Sequence, residues 1–321
     1  MRVCMMLEGQ ESISWQDWLV IAEACERHGF DGLFTSDHYG SVQHRPHREA
    51  FDAWTVLGGV ATRTHRLRLG TLVSPATFRH PSVLAKAATT ADHISGGRIE
   101  LGMGAGWLEH EHRSYGFDFP AMGERMTRLS EQLEIIHRQW TEDRFDFAGK
   151  HYTLTGCEAL PKPAQKPHPP LILGGLGGPR SAALAARWAD EYNLVSTGRA
   201  DVADRVGALR QACSTAGRDA STLRISVMSG VIVGASRAEV VRRAVDVSRW
   251  TGRGDDGEAF LSSIEGRWFA GTIDEVIAQI GELAEVGIQR VFLQTLNHED
   301  TEMIELIGRD VVPEVAGMVS A

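Results

Sequence analysis

Ser95-Gly96-Gly97-Arg98-Ile99-Glu100-Leu101-Gly102-Met103-Gly104-Ala105-Gly106-Trp107 is the stretch on which the fold of this 321-residue chain turns. Gly96-Gly97 interrupt the helical pattern before them, and Arg98 to Leu101 suit a short buried strand. Gly102, Gly104 and Gly106 then form a glycine-rich exit whose backbone can approach another group closely. The spacing is G-x-G-x-G and follows about the fourth strand signal, whereas a dinucleotide-binding turn needs G-x-G-x-x-G after the first strand. A Rossmann assignment is therefore poor. The plain alternative is a set of glycines that only permit a tight turn from strand to loop.

Outward from this run, strand and helix signals alternate. Strands are expected at Val3 to Leu7, Phe30 to Thr35, Leu67 to Val73, Ile99 to Leu101, Leu171 to Leu173, Tyr192 to Ser196, Leu223 to Val233 and Arg290 to Gln294. Helices are expected at Trp15 to His28, Phe51 to Thr62, Pro81 to Ile94, Gly123 to Trp140, Pro179 to Ala189, Val202 to Ala216 and Ile273 to Val286. Eight such units predict a (β/α)8 barrel, with a doubly wound open sheet as the alternative. The chain reads as one domain over residues 1–321, with a surface excursion at about 141–170 and a helical insertion at about 236–270. The excursion holds a hairpin-like Phe145 to Tyr152 and a proline-rich run ending at Pro169-Pro170.

Composition narrows the class of partner. A formal net charge of -9, with scattered arginines, disfavours nucleic acid and anionic membranes and favours a small molecule. Cys4, Cys25, Cys157 and Cys213 form no C-x-x-C, which argues against a disulfide framework or a structural zinc. No export signal and no long apolar span is read, so a cytoplasmic protein is expected, with a homodimer as the expected assembly.

On a barrel the residues just past each strand are the ones that act. Asp37-His38 follows the second strand and suits acid–base work, because histidine titrates near neutrality; a strand-end turn with a packed histidine is the structural alternative. Leu173-Gly174-Gly175-Leu176-Gly177-Gly178-Pro179 has the character of a phosphate cradle, with free backbone N–H groups and proline at the first helical position. Arg199, at the next strand end, can add charge or lie on the surface. Trp107 leaves the glycine loop toward the expected pocket. No metal site is expected from the 13 histidines: Glu109-His110-Glu111-His112 and His44-Arg45-Pro46-His47 lack H-E-x-x-H spacing and read as solvated loops. A G-x-S-x-G nucleophile elbow is also missing.

Taken together, Leu69 to Val73 through Phe78-Arg79-His80-Pro81, then Ala91 to Arg98, then Leu101 to Trp107 resemble the bacterial luciferase-like family. More narrowly they are similar to its branch that uses the deazaflavin coenzyme F420. Gly29 to His38, Pro170 to Pro179 and Gly287 to Gln294 match in the same order, so nearly the whole chain is covered. The resemblance implies a (β/α)8 fold with a flavin-like cofactor across the C-terminal ends of the strands. It also implies a bulge with a non-proline cis peptide at Leu72-Val73 against the cofactor ring, and phosphate-binding glycines at Gly177 and Gly178. Gly104, Ala105, Gly106, Gly174, Gly175 and Arg199 are expected beside the same cofactor, and Asp37 and His38 are implied as catalytic or cofactor-contacting.

One departure stands out. The sugar-phosphate dehydrogenase branch carries a carboxylate directly after the G-x-G loop, where this chain has Trp107, with Glu109 and Glu111 out of register. Trp107 and Glu109 are therefore expected to line a different substrate pocket. The resulting expectation is an F420-dependent oxidoreductase; an FMN-dependent monooxygenase using O2 and a non-catalytic flavin-binding barrel are the alternatives.

Overall fold

Alternation along the first strand sets the architecture. In β1 (Arg2–Leu7), Val3, Met5 and Leu7 are buried in the large core shared with the helices. Cys4 and Met6 instead join a separate inner cluster with Phe34, Leu72, Ile172, Met228 and Phe292. A strand buried on both faces belongs to a parallel sheet wrapped by helices. In the computed structural model, which describes residues 1–43, 45–195 and 198–318, that sheet is closed.

The remaining barrel strands are β2 (Gly32–Thr35), β3 (Arg68–Thr71), β4 (Ile99–Gly104), β5 (Leu171–Gly175), β6 (Glu191–Val195), β7 (Arg224–Gly234) and β8 (Arg290–Thr295). Each runs parallel to its successor, and β8 pairs with β1 through Arg2↔Arg290 to Leu7↔Thr295. This is the (β/α)8 barrel that the alternation predicts. No helix among the described residues is long and apolar enough to cross a membrane.

Several expected boundaries move, for physical reasons. β4 runs three residues past the expected Leu101, through Gly102 to Gly104. A Cβ on Gly102 would lie 2.0 Å from the Thr71 carbonyl oxygen, so glycine there permits lateral approach of β3 and not a loop. The expected helical insertion is two helices, Arg237–Trp250 and Gly257–Ile264, followed by a strand, Phe269–Thr272, that pairs with the outer half of β7. Asp256 starts the second helix by accepting from the Ala259 amide, which explains why one continuous helical pattern divides. In the 141–170 excursion, Phe145–Ala148 pairs with Thr153–Cys157, so the hairpin runs on from the expected end at Tyr152 to Cys157. Ser196, Thr197 and His44, which carry parts of the expected strand end and histidine loop, lie outside the described residues.

The floor of the barrel is ionic. Arg290, fully buried at the start of β8, lies 2.7 Å from Glu100, 3.2 Å from Glu191 and 3.0 Å from Asp31, and its Nε donates to Cys4 Sγ. Its guanidinium also sits 4.9 Å from the Phe34 ring centre and 4.8 Å from that of Phe292. Arg68 and Arg224 bring further charge to Glu100 and Glu191.

Burial alone would raise the Glu100 carboxyl, but the charges and hydrogen bonds of Arg290 and Arg68 overcome it and hold the group down to about 2. With the folded value below the ordinary 4.5, the unfolded chain takes up the proton first. The contribution to stability is full above that ordinary value and is lost as pH falls toward about 2. Urea unfolding of the wild type should therefore show a midpoint that drops steadily below about pH 4.5. Glu100→Gln should be less stable at neutral pH by roughly 3–5 kcal/mol, because Arg290 loses a buried partner, and should show a shallower acid slope. An unchanged midpoint at neutral pH would remove Glu100 from this role.

Candidate active site at the C-terminal end of the barrel

The same parity that sends Cys4 and Met6 into the barrel carries Glu8, one step past β1, into a cavity of about 560 Å³. Met228 and Gln294 reach it from β7 and β8, and Val195 ends β6 on its wall. The last residues of β4 and β5 and the loops after β2 to β5 supply Ser36, His38, Leu72, Val73, Gly104 to Trp107 and Leu173 to Leu176. This is the end of a (β/α)8 barrel where side chains from different strands converge on one ligand.

Val73 forms one wall. The Leu72–Val73 peptide is cis, and Ser74–Pro75 then returns to pair with Met103 and Gly104 of β4. A Cβ on Gly104 would fall 2.7 Å from Val73 Cγ2, and one on Gly174 2.8 Å from Val73 Cγ1. These two glycines make room for a valine, whereas the sequence alone presents them as room for a ligand. Gly106, at φ +82°, needs glycine for its backbone as the chain turns out to Trp107.

His38 lies on the cavity wall with its ring 5.8 Å from that of Trp107 in an edge-on arrangement. Its Nδ1 is 2.7 Å from Glu111 Oε2. The other carboxylate oxygen of Glu111 accepts from the backbone amides of Tyr39 and Gly40. Burial works against the imidazolium, but the hydrogen bond and charge of Glu111, aided by Glu8 and Asp37, outweigh it and lift His38 above the ordinary histidine value. With Nδ1 held by the carboxylate, Nε2 is the nitrogen left to face a ligand.

The run Glu109 to His112 is not the solvated loop expected of it. It opens a short helix, Glu109–Tyr115, whose Glu111 and His112 are buried. His112 Nε2 lies 2.6 Å from Thr77 Oγ1 and Nδ1 lies 2.8 Å from the Leu108 carbonyl oxygen. Glu109 faces outward, exposed and paired with Arg113 at 2.9 Å, and does not line the cavity. Helical geometry puts residues two apart on different sides, so Glu111 turns in where Glu109 turns out.

Asp37 is also off the cavity wall. It is buried, and its Oδ2 accepts from Ser74 Oγ and pairs with Arg79, which reaches Asp52 as well; Oδ1 is buried with no hydrogen-bond partner among the described residues. Arg199 stands at the start of the Arg199–Thr215 helix, but its guanidinium donates to the Trp268 carbonyl at 2.9 Å and lies 3.5 Å from Glu282. It is drawn to the 268–282 segment, away from the cavity.

At the far side of the cavity Gly174, Gly175, Leu176, Gly178 and Ser181 lead into the Pro179–Trp188 helix. Its cap residue, Gly178, has no side chain, Pro179 has no N–H, and a Cβ on Gly178 would meet open space. The first-turn amides are therefore open to an anion. Gly177 contributes differently: its amide donates to the Tyr192 hydroxyl at 2.9 Å, and its φ of +73° requires glycine. Sequence reading missed Glu8, Ser36, Gln294 and Glu111, together with Met122, Met126 and Leu129 on one face of the Met122–Thr141 helix. The i, i+4, i+7 spacing of those last three was the available signal.

Comparison with known proteins agrees with this geometry. The family model for luciferase-like monooxygenases matches residues 2–290. An F420-dependent glucose-6-phosphate dehydrogenase of Nakamurella multipartita is 30% identical, the match spanning 93% of this chain and 92% of that one. Among solved structures, the monooxygenase RslO1 from Streptomyces bottropensis superposes with a TM-score of 0.83 at 25% identity, covering 98% of this chain and 99% of that one. The coenzyme F420-dependent tetrahydromethanopterin reductase of Methanopyrus kandleri superposes with a TM-score of 0.81 at 21% identity, covering 98% and 99%. The chain belongs to the luciferase-like monooxygenase superfamily, in its F420-dependent branch, and is an oxidoreductase that works with an F420- or flavin-type cofactor.

Replacing Glu111 by Gln removes the negative charge but keeps hydrogen-bonding groups at the same place. The His38 titration, followed by NMR of the imidazole, should move to lower pH, since the charge that outweighs burial is lost. A histidine titration identical to the wild type would show that Glu111 does not set it.

Proposed function

We propose that the protein exchanges a hydride between coenzyme F420 and a small organic substrate, with His38 moving the accompanying proton. The observation that carries this is the imidazole on the cavity wall whose Nδ1 is fixed by buried Glu111. A group so held keeps one tautomer and presents Nε2 for proton transfer at a substrate oxygen. When bound, F420 supplies a two-electron carrier that gives or takes hydride at a ring carbon.

The residues present fit such a cofactor. Leu72 and Val73 offer an apolar wall for a flat ring, and the glycine segment at 174–178 with the open helix start suits the negatively charged tail. Asp37 Oδ1 remains as a buried acceptor behind the site. The similarity to F420-dependent glucose-6-phosphate dehydrogenases favours F420 over FMN. His38 lies next to Trp107, so substrate meets the proton-transfer group beside that indole.

Titration with each cofactor, read by fluorescence quenching, tests the reading. F420 is expected to bind at least about tenfold more tightly than FMN, and His38→Ala should keep F420 affinity within a few-fold while lowering turnover roughly 10²-fold. Micromolar FMN binding without F420 binding would reassign the protein to flavin-dependent monooxygenase chemistry.

A further inference from the structure

We infer that the substrate is an uncharged, largely apolar alcohol or carbonyl compound of several carbons, and not a phosphorylated sugar. The alcohol-or-carbonyl part rests on the hydride-transfer reading above; the apolar part rests on the cavity itself.

No lysine or arginine is among the described residues that line the cavity, and its one acidic lining residue is Glu8. With the helix start at Gly178 given above to the cofactor tail, a sugar phosphate beside His38 would bring its dianion toward Glu8 with no lysine or arginine on the described lining to receive it, at a cost that burial makes large. The neighbouring guanidinium of Arg199 is engaged by the Trp268 carbonyl and Glu282.

The polar groups of the wall are also already committed. Glu8 accepts from Gln10 and Gln294, and Gln10 in turn accepts from Ser36. That leaves His38 Nε2 as the principal partner for a substrate, which matches one oxygen function and not a polyol.

Apolar side chains supply the rest. Three of the ten large apolar side chains exposed on the described residues, Trp107, Met122 and Leu176, stand on this one cavity. Behind Met122, Met126 and Leu129 extend the same helix face inward. Methionine and tryptophan on a wall of this kind adapt to a chain of variable shape.

In the oxidising direction the O–H proton passes to His38 Nε2. The carbinol C–H bond breaks with its electron pair, which leaves with the hydrogen as hydride to oxidised F420, so the C–O bond becomes C=O and the cofactor is reduced by two electrons. Reduction of a carbonyl runs the same transfers backward.

The test measures equilibrium binding of secondary butanol, hexanol and octanol and of glucose 6-phosphate by tryptophan fluorescence, on protein loaded with reduced F420, which cannot accept hydride from them, and on protein alone. Affinity should rise roughly threefold to fourfold per added methylene, with no saturable glucose 6-phosphate binding. Met122→Lys, a change at an exposed position that leaves the fold intact, should weaken octanol by at least about fivefold and flatten the chain-length dependence. Binding that does not change along the alcohol series, or saturable glucose 6-phosphate binding, would overturn the inference. If F420 fails to bind while protein alone shows the chain-length dependence, the cofactor reading falls and the apolar substrate class stands.

Discussion

Everything at the open end of the barrel depends on a charge buried at the closed end. Arg290 draws together residues of β1, β4 and β6 and the entrance to β2, and it does so from β8, the strand that closes the ring. An unpaired guanidinium in that position would cost several kcal/mol, a large share of a domain's net stability, so the register of the strands has to bring carboxylates to it. Once Arg290 and Cys4 are fixed at the floor, parity puts Phe292 and Met6 in the middle and Gln294 and Glu8 in the cavity. On β1, β2 and β8 the site thus begins two residues above the inner core, where Glu8, Ser36 and Gln294 follow Met6, Phe34 and Phe292.

The upper layer divides into two kinds of support. Val73, seated against Gly104 and Gly174, makes a rigid wall out of close backbone approach. His38 is positioned by a carboxylate from a separate short helix, and that helix is anchored by the buried His112 and by amides of the chain that follows His38 itself. His38 and its carboxylate partner therefore come from segments 73 residues apart, yet each fixes the other.

Much of the barrel is legible in the sequence because strand and helix signals alternate along the whole chain and glycine or proline marks the joints. The floor is not legible: Glu100, Glu191 and Arg290 stand at strand starts, where a charge ordinarily reads as a solvated end. Glu111 is hidden for the opposite reason, since it lies in a polar run whose inward turn depends on a helix of seven residues that no apolar periodicity announces. His38, Trp107 and the glycine segments at 104–106 and 174–178 were readable as strand-end residues of a barrel. The direction of Asp37, Glu109 and Arg199 was not: Asp37 and Arg199 are claimed by partners supplied from elsewhere in the chain, and Glu109 is turned out by a short helix on which it pairs with Arg113.

The Met122–Thr141 helix has a consequence of its own. Its first two turns present Met122, Met126 and Leu129 to the cavity, while Leu133, Ile136 and Trp140 farther along are packed in the main core. One rod thus lines the cavity at its start and serves as a structural strut over the rest of its length. Substitutions in its opening turns can reshape the cavity wall while leaving the scaffold below untouched, so a few codons suffice to alter that wall.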